Sequence, residues 1–305
     1  MNTSVNIAGV ELKNPIMTAS GTFGSGMEYD EIIDISRLGA VVTKGVADKP
    51  WSGNDTPRIT EVRSGMLNAI GLQNPGIDTF VKRDLKFLSE RLAGSDTKVI
   101  VNVCGHSEEE YLNVVERLAD ESRVDLLEIN ISCPNVKEGG IAFGQDPKAV
   151  EAITAAVKKK AKQPVIMKLS PNVTDITVMA KAAQAGGADA ISLINTLTGM
   201  KVDVERQQFV LANKTGGMSG PAVHPIAVRM VYQCANAVTI PIIGMGGVAT
   251  WQDAVEMMLV GAKGISVGTA NFFNPNSTIE IIDGIEDYLT RHSVSDINEI
   301  IGKVK

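Results

Sequence analysis

The side chains able to do chemistry recur at the ends of short apolar runs. Read in order, those runs close on Ser20, Lys44, Asn102, Asn130, Lys168, Asn195, Gly246-Gly247 and Gly268-Thr269. Each alone has an ordinary structural explanation, because asparagine suits caps and turns and lysine snorkels to solvent. Together they need another, since a structural barrel gains nothing by ending strand after strand in an amide or an ammonium. Parallel α/β barrels carry their active residues at these C-terminal strand ends. The amides of Asn68, Asn130 and Asn195 each offer a donor and an acceptor. A cyclic ureide, with alternating N–H and C=O groups, complements such a set. Lys44 suits a carboxylate. Lys168 suits the pyrimidine edge of a flavin, whose reduced form carries negative charge.

The glycine-rich ends come last in the chain. Gly244-Met245-Gly246-Gly247 follows the seventh apolar run, and Gly268-Thr269 follows the eighth. Glycines let backbone N–H groups approach a phosphate, and barrels often bind phosphate at these two loops. Gly244 to Ala249 also fits G-x-G-x-x-A, but no acidic residue ends the next strand to hold a ribose. The phosphate of a flavin mononucleotide (FMN) fits better than a dinucleotide. Cys133 sits three residues past the fourth run, in Asn130-Ile131-Ser132-Cys133-Pro134-Asn135-Val136. A lone cysteine is usually a small buried hydrophobe, which accounts for Cys104 and Cys234. In a polar loop at a barrel mouth, stiffened by Pro134 and followed by the hinge-like Gly139-Gly140, Cys133 is a candidate reactive thiol. His106, His224 and His292 show no orienting partner in the sequence and read as structural.

Eight strand-to-helix units position these groups. The strands expected are Ile16–Thr18, Ala40–Lys44, Val99–Val103, Leu126–Asn130, Val165–Leu169, Ala190–Asn195, Pro241–Met245 and Gly264–Thr269. They are near-continuous apolar runs, as strands covered on both faces require. Between them lie helical patterns. Ser107-Glu108-Glu109-Glu110 reads as a capping box, Pro221 occupies a first helical position, and Gly186-Gly187 stops the helix begun at Asp175. Alternation of this kind implies a (β/α)8 TIM barrel spanning residues 1–305 as a single domain, with a doubly wound open sheet as the other possibility. Val5 to Leu12 reads as an N-terminal hairpin around Ala8-Gly9, covering the barrel floor. Thr198 to Gly217 is a long loop insertion after strand six, with strand-like Met200–Val204 and Phe209–Leu211.

The chain has 305 residues and a formal net charge of −6. Its pI near 5.3 makes nucleic acid a poor partner. Met1 to Pro15 shows no basic stretch followed by an apolar one, and no apolar run approaches the ~18 residues a membrane span needs. Three cysteines suit a reduced, cytoplasmic protein and fall short of the four thiolates of an iron–sulfur cluster. No metal site is apparent.

Asn130 to Val136, followed by Gly139-Gly140 and Phe143-Gly144, resembles the catalytic segment of class 1 dihydroorotate dehydrogenases. Ala19-Ser20-Gly21, Met66 to Gly76, Lys168 to Val173 and Asn195-Thr196 agree, as do Asn213 to Gly217 with Ser219-Gly220-Pro221, and Gly244 to Val248 with Gly268 to Phe272. The likeness runs the length of the chain in order. It implies FMN contacts from Ser20, Lys44, Gly45, Asn102, Asn130, Lys168, Ile194, Gly220, Gly246, Gly247, Gly268 and Thr269. It implies dihydroorotate contacts from Lys44, Asn68, Ile70, Gly71, Leu72, Asn130, Asn195 and Thr196. Cys133 would take the C5 proton while a hydride leaves C6 for the flavin, giving orotate. Membrane-bound class 2 enzymes use serine there and carry an N-terminal extension.

The sequence around Asn135-Val136-Lys137 and Gly139-Gly140 resembles class 1B. That class passes electrons to NAD+ through a partner subunit holding FAD and a [2Fe–2S] cluster, two of each chain forming a heterotetramer. Gly45-Val46-Ala47 and Trp51-Ser52-Gly53 depart from the family pattern, both in loops. Competing expectations are an FMN-dependent reductase like dihydropyrimidine dehydrogenase, a fumarate-using class 1A enzyme, a flavin-free lyase forming a Schiff base through Lys44 or Lys168, and a non-catalytic assembly barrel.

Overall fold

The computed structural model describes residues 1–131 and 143–305. Eight parallel strands close into a barrel: β1 (Ile16–Thr18), β2 (Ala40–Val42), β3 (Lys98–Val103), β4 (Leu126–Asn130), β5 (Val165–Lys168), β6 (Ala190–Leu193), β7 (Ile242–Met245) and β8 (Gly264–Val267). Order around the barrel is order in the chain. The ring is sealed where β8 pairs with β1, Val267 opposite Thr18. The (β/α)8 barrel is therefore observed rather than the open sheet. Several strands stop short of their apolar runs, leaving Lys44, Asn195 and Gly268-Thr269 just beyond the ladder. Single backbone bonds still anchor some of them, Lys44 N–H to Gly24 O at 2.7 Å and Asn195 N–H to Leu169 O at 3.1 Å. That is how the residues with chemistry come to stand on the rim.

Apart from Lys98 at the start of β3, the strands are buried because helices cover them outside and side chains fill the barrel inside. Each helix turns one stripe inward. In Glu108–Leu118 the buried residues are Tyr111, Val114, Val115 and Leu118, a spacing of three and four. Ser107 Oγ accepts from the Glu110 N–H at 3.3 Å, but the Glu110 carboxylate reaches past Ser107 to the His106 N–H at 2.6 Å. Only half of the expected capping box forms. Thr250 and Asp253 form a complete one on Trp251–Leu259. Asp175 caps Ile176–Ala185, which ends at Gly186 as the sequence indicated.

Val5–Ile7 and Val10–Leu12 pair antiparallel around Ala8 and Gly9, both at positive φ. Ile7 lies against Gly264, the first residue of β8, so the hairpin does cover the floor. The insertion after β6 is more extensive than expected. Leu197–Met200 pairs with Thr215–Ser219, and a small hairpin, Val202–Asp203 with Gln208–Phe209, stands at its tip. Thr215–Ser219 then pairs with Gly65–Asn68, which pairs with Ile59–Val62. One antiparallel sheet thus joins the connection after β2 to the connection after β6. Among the described residues, no helix is long and apolar enough to cross a membrane.

Candidate active site at the barrel mouth

A cavity of about 1180 Å³ opens at the C-terminal end of the barrel. It is lined by Ser20, Lys44, Gly45, Asn102, Asn130, Lys168, Ile194, Gly220, Gly246, Gly247, Gly268 and Thr269, and also by Asn68, Ile70, Gly71, Leu72, Asn195 and Thr196. Every candidate that falls among the described residues meets in this one space. Cys133 lies outside the described residues.

The barrel interior just below the cavity is polar. Glu128, mid-strand in β4 and 2% exposed, accepts from Asn102 Nδ2 at 2.6 Å and Ser192 Oγ at 2.7 Å. Ser192 is on β6, with β5 between it and β4, so this bond crosses the barrel interior. Lys168, at the end of β5, has its Nζ 3.9 Å from Glu128 and 3.1 Å from Ser20 Oγ. Sequence reading missed Glu128. The signal was one charged residue inside the apolar run Leu126-Leu127-Glu128-Ile129, where an unpaired carboxylate is not tolerated.

A carboxylate only accepts, so the Asn102 atom facing it is the amino nitrogen. Asn102 Oδ1 is then turned the other way, against Gly45, and has no partner among the described residues. A buried acceptor left open at a cavity wall calls for a ligand N–H or a water.

Lys44, just past β2 and beside the Asn102 strand, also lines the cavity, with no carboxylate paired to it among the described residues. Burial lowers its pKa from the ordinary 10.5; the neighbouring Cys104 sulfur opposes the shift, and the Arg58 and Lys168 cations add to it. A free, half-buried ammonium with space before it is a receptor for an anion. The amides nearby are oriented by the inserted sheet and the rim. Asn195 Nδ2 donates to Asn130 Oδ1 at 3.2 Å, and Asn195 Oδ1 accepts from the Thr196 N–H at 2.8 Å. Asn68 Nδ2 donates to Gly217 O at 3.4 Å. Asn172, which sequence reading left out, donates to Thr196 O at 3.0 Å and accepts from the Thr198 N–H at 2.9 Å, tying the β5 rim to the insertion.

The far end of the cavity is built from backbone. Gly246 and Gly247 have φ of 123° and 72°. A Cβ on Gly247 would stand 2.7 Å from His224 Cβ and 2.8 Å from Gly220 O. Glycine is needed there both for φ and for close approach. The N–H groups of Gly247, Gly268 and Thr269 donate to no acceptor among the described residues. Converging free N–H groups form an anion cradle. A ligand with an anionic group at one end and a ring N–H at the other suits the cradle and the open Asn102 acceptor.

The histidines do have partners, contrary to the sequence reading. His106 stacks on Trp51 at 3.8 Å between ring centroids and lies 3.4 Å from Glu110. His224 bonds to Gly246 O and Glu256, and His292 packs on Tyr288. Glu110 and Tyr288 lie at the local i,i+4 spacing, which the sequence reading passed over; Trp51 and the partners of His224 come from other elements, which no local pattern announces. The departing loop is held in place: Trp51 and Asn74 exchange backbone hydrogen bonds at 3.0 and 3.1 Å, and Trp51 joins the cavity wall. Cys104 and Cys234 are buried, and burial pushes the Cys234 thiol up to about 12.

Residues 2–289 match the family description of dihydroorotate dehydrogenase. A protein of Lachnoclostridium phytofermentans named dihydroorotate dehydrogenase B (NAD(+)), catalytic subunit, is 67% identical over 305 residues, 100% of both chains. Proteins of the same name from Alkaliphilus oremlandii and Thermoanaerobacter sp. (strain X514) are 60% identical over 303 residues and 52% over 305. Those alignments cover 99% of both chains in the first case, and 100% of this chain and 99% of the relative in the second.

Proposed function

Since the chain belongs to the dihydroorotate dehydrogenase family, we propose that it oxidises (S)-dihydroorotate to orotate in de novo pyrimidine (UMP) biosynthesis, with FMN bound in the barrel mouth. The observation that carries this reading is the single cavity on which all the described candidate residues converge. Residues 1–305 act as one FMN-binding domain in the cytoplasm.

FMN would be held by the glycine cradle at its phosphate and by Asn102, Lys168 and Ser20 at its ring. Bound there, it supplies the two-electron acceptor for the hydride leaving C6. The chain's own groups do the rest. Lys44 receives the substrate carboxylate, with no acid paired to it among the described residues. Asn68, Asn130, Asn195 and Thr196 match the ureide edge; hydrogen bonds among the last three, and from Asn68 to Gly217 O, orient them before substrate arrives. Lys168 brings a cation to the pyrimidine edge, where negative charge develops. Cys133 serves as the base for the C5 proton.

The relatives are named catalytic subunits, which implies a second chain. We assign to that partner an FAD and a [2Fe–2S] cluster, in an assembly of two chains of each kind, with NAD+ as final acceptor. The chain's three cysteines cannot ligate a cluster themselves.

The purified chain is expected to be yellow, to release FMN on heating, and to bleach anaerobically with dihydroorotate. Alone it should reduce dyes but turn over poorly with NAD+. Absence of flavin, or rapid unassisted NAD+ reduction, would overturn the assignment; efficient fumarate reduction would move it to class 1A.

A further inference from the structure

His224 lies behind the glycine cradle, on the first turn of His224–Ala235, and is 7% exposed. It does not line the cavity and has no role in the chemistry above. Its ring bridges two elements. Nδ1 is 2.9 Å from the carbonyl oxygen of Gly246, and Nε2 is 3.1 Å from the Glu256 carboxylate on the following helix, Trp251–Leu259. Asp253 is further, 3.7 Å from Nε2, and its other oxygen serves the N–H groups of Ala249 and Thr250. A carbonyl and a carboxylate both accept, so each ring nitrogen faces an acceptor, and a proton on Nδ1 is what the Gly246 oxygen calls for.

The consequence runs through the peptide between Gly246 and Gly247. In a trans peptide the C=O and the N–H point in opposite directions. Holding the Gly246 oxygen against His224 turns the Gly247 N–H away from it. That N–H has no acceptor among the described residues, and both glycines line the cavity. With φ of 123° and 72° on either side, this peptide is free to flip unless something fixes it. A flipped peptide would present a carbonyl oxygen to an anion.

We propose that His224, oriented by Glu256, is a positioning residue for the phosphate end of the cofactor: it locks the Gly246 carbonyl outward and so aims the Gly247 N–H at the anion. The inference rests on the FMN reading, and it separates phosphate binding from ring binding.

The test compares FMN with riboflavin, which carries the same ring without phosphate, by fluorescence titration of the full-length chain stripped of flavin. His224→Ala should weaken FMN about tenfold, the scale of one lost charge-assisted hydrogen bond, while riboflavin changes less than about twofold on the same scale. His224→Gln, which keeps a side-chain N–H, should recover part of the loss. Glu256→Gln, at a more exposed position, should give a smaller loss of the same selectivity and carries the test if His224→Ala does not fold. An FMN-to-riboflavin ratio unchanged in all the folded variants would overturn the proposal, and so would equal losses for both ligands. If the parent chain itself binds neither flavin, the FMN reading fails instead.

Discussion

Replacing Glu128 by glutamine removes a charge and almost nothing else. The side chain keeps its size, its oxygen still accepts from Asn102, and its new amino group can donate to Ser192, whose hydroxyl accepts as readily as it donates. What disappears is the attraction to Lys168. At 3.9 Å, with both side chains at most 5% exposed, that attraction is about 4 kcal/mol at an effective dielectric near 20. The neutral side chain escapes the cost of burying a carboxylate, which offsets part of this. The expected net loss is about 2–3 kcal/mol. The sign should reverse once the lysine is gone: in a Lys168→Met background Glu128 is a buried carboxylate without a cation, and Glu128→Gln should stabilise. Unfolding of the flavin-free chain in urea, followed by the fluorescence of Trp51 and Trp251, reads both effects. The same sign of change in both backgrounds would refute the pairing.

Three further outcomes are expected. The depressed pKa of Lys44 means that the folded chain holds fewer protons than the unfolded one between that value and 10.5, so this group's contribution to stability rises with pH across that window. Orotate binding should weaken across the same rise, as the ammonium that receives the carboxylate deprotonates. Calorimetric titration against pH checks this, and an equal pH dependence in Lys44→Met would remove Lys44 from the carboxylate site. Cys133→Ala should retain FMN and lose at least about a hundredfold in the rate of flavin reduction by dihydroorotate, the scale of general-base catalysis. Stopped-flow rates within a few-fold of the parent would dismiss the thiol as base.

The barrel was legible because its strands bury both faces and so appear as unbroken apolar runs, and because the rim residues interrupt those runs at the same end each time. The inserted sheet was not. Ile59–Val62 alternates exposed and intermediate residues, Gly65–Asn68 is short and begins in glycine, and the second partner of Gly65–Asn68, Thr215–Ser219, lies some 150 residues away. Separation onto different elements, by 64 residues in one case and 22 in the other, likewise hid Glu128 and Ser192 from each other, and His224 from Gly246. Sequence pattern reports which face of an element is dry. It does not report which two polar groups on different elements share a proton.

The seam between β8 and β1 has a bearing on how the protein is made. Ser20 stands just past one side of it and Gly268-Thr269 just past the other, so the two ends of the chain must meet before the mouth is complete. A chain emerging from a ribosome can form its early β/α units in turn, but it cannot present the cradle until the last strand has been synthesised and seated. Until then the first strand keeps an unpaired edge. Any ligand that grips both sides of the seam acts as a clasp on the closed ring. Its removal should loosen the N- and C-terminal strands together, in one cooperative opening and not as two separate frayed ends.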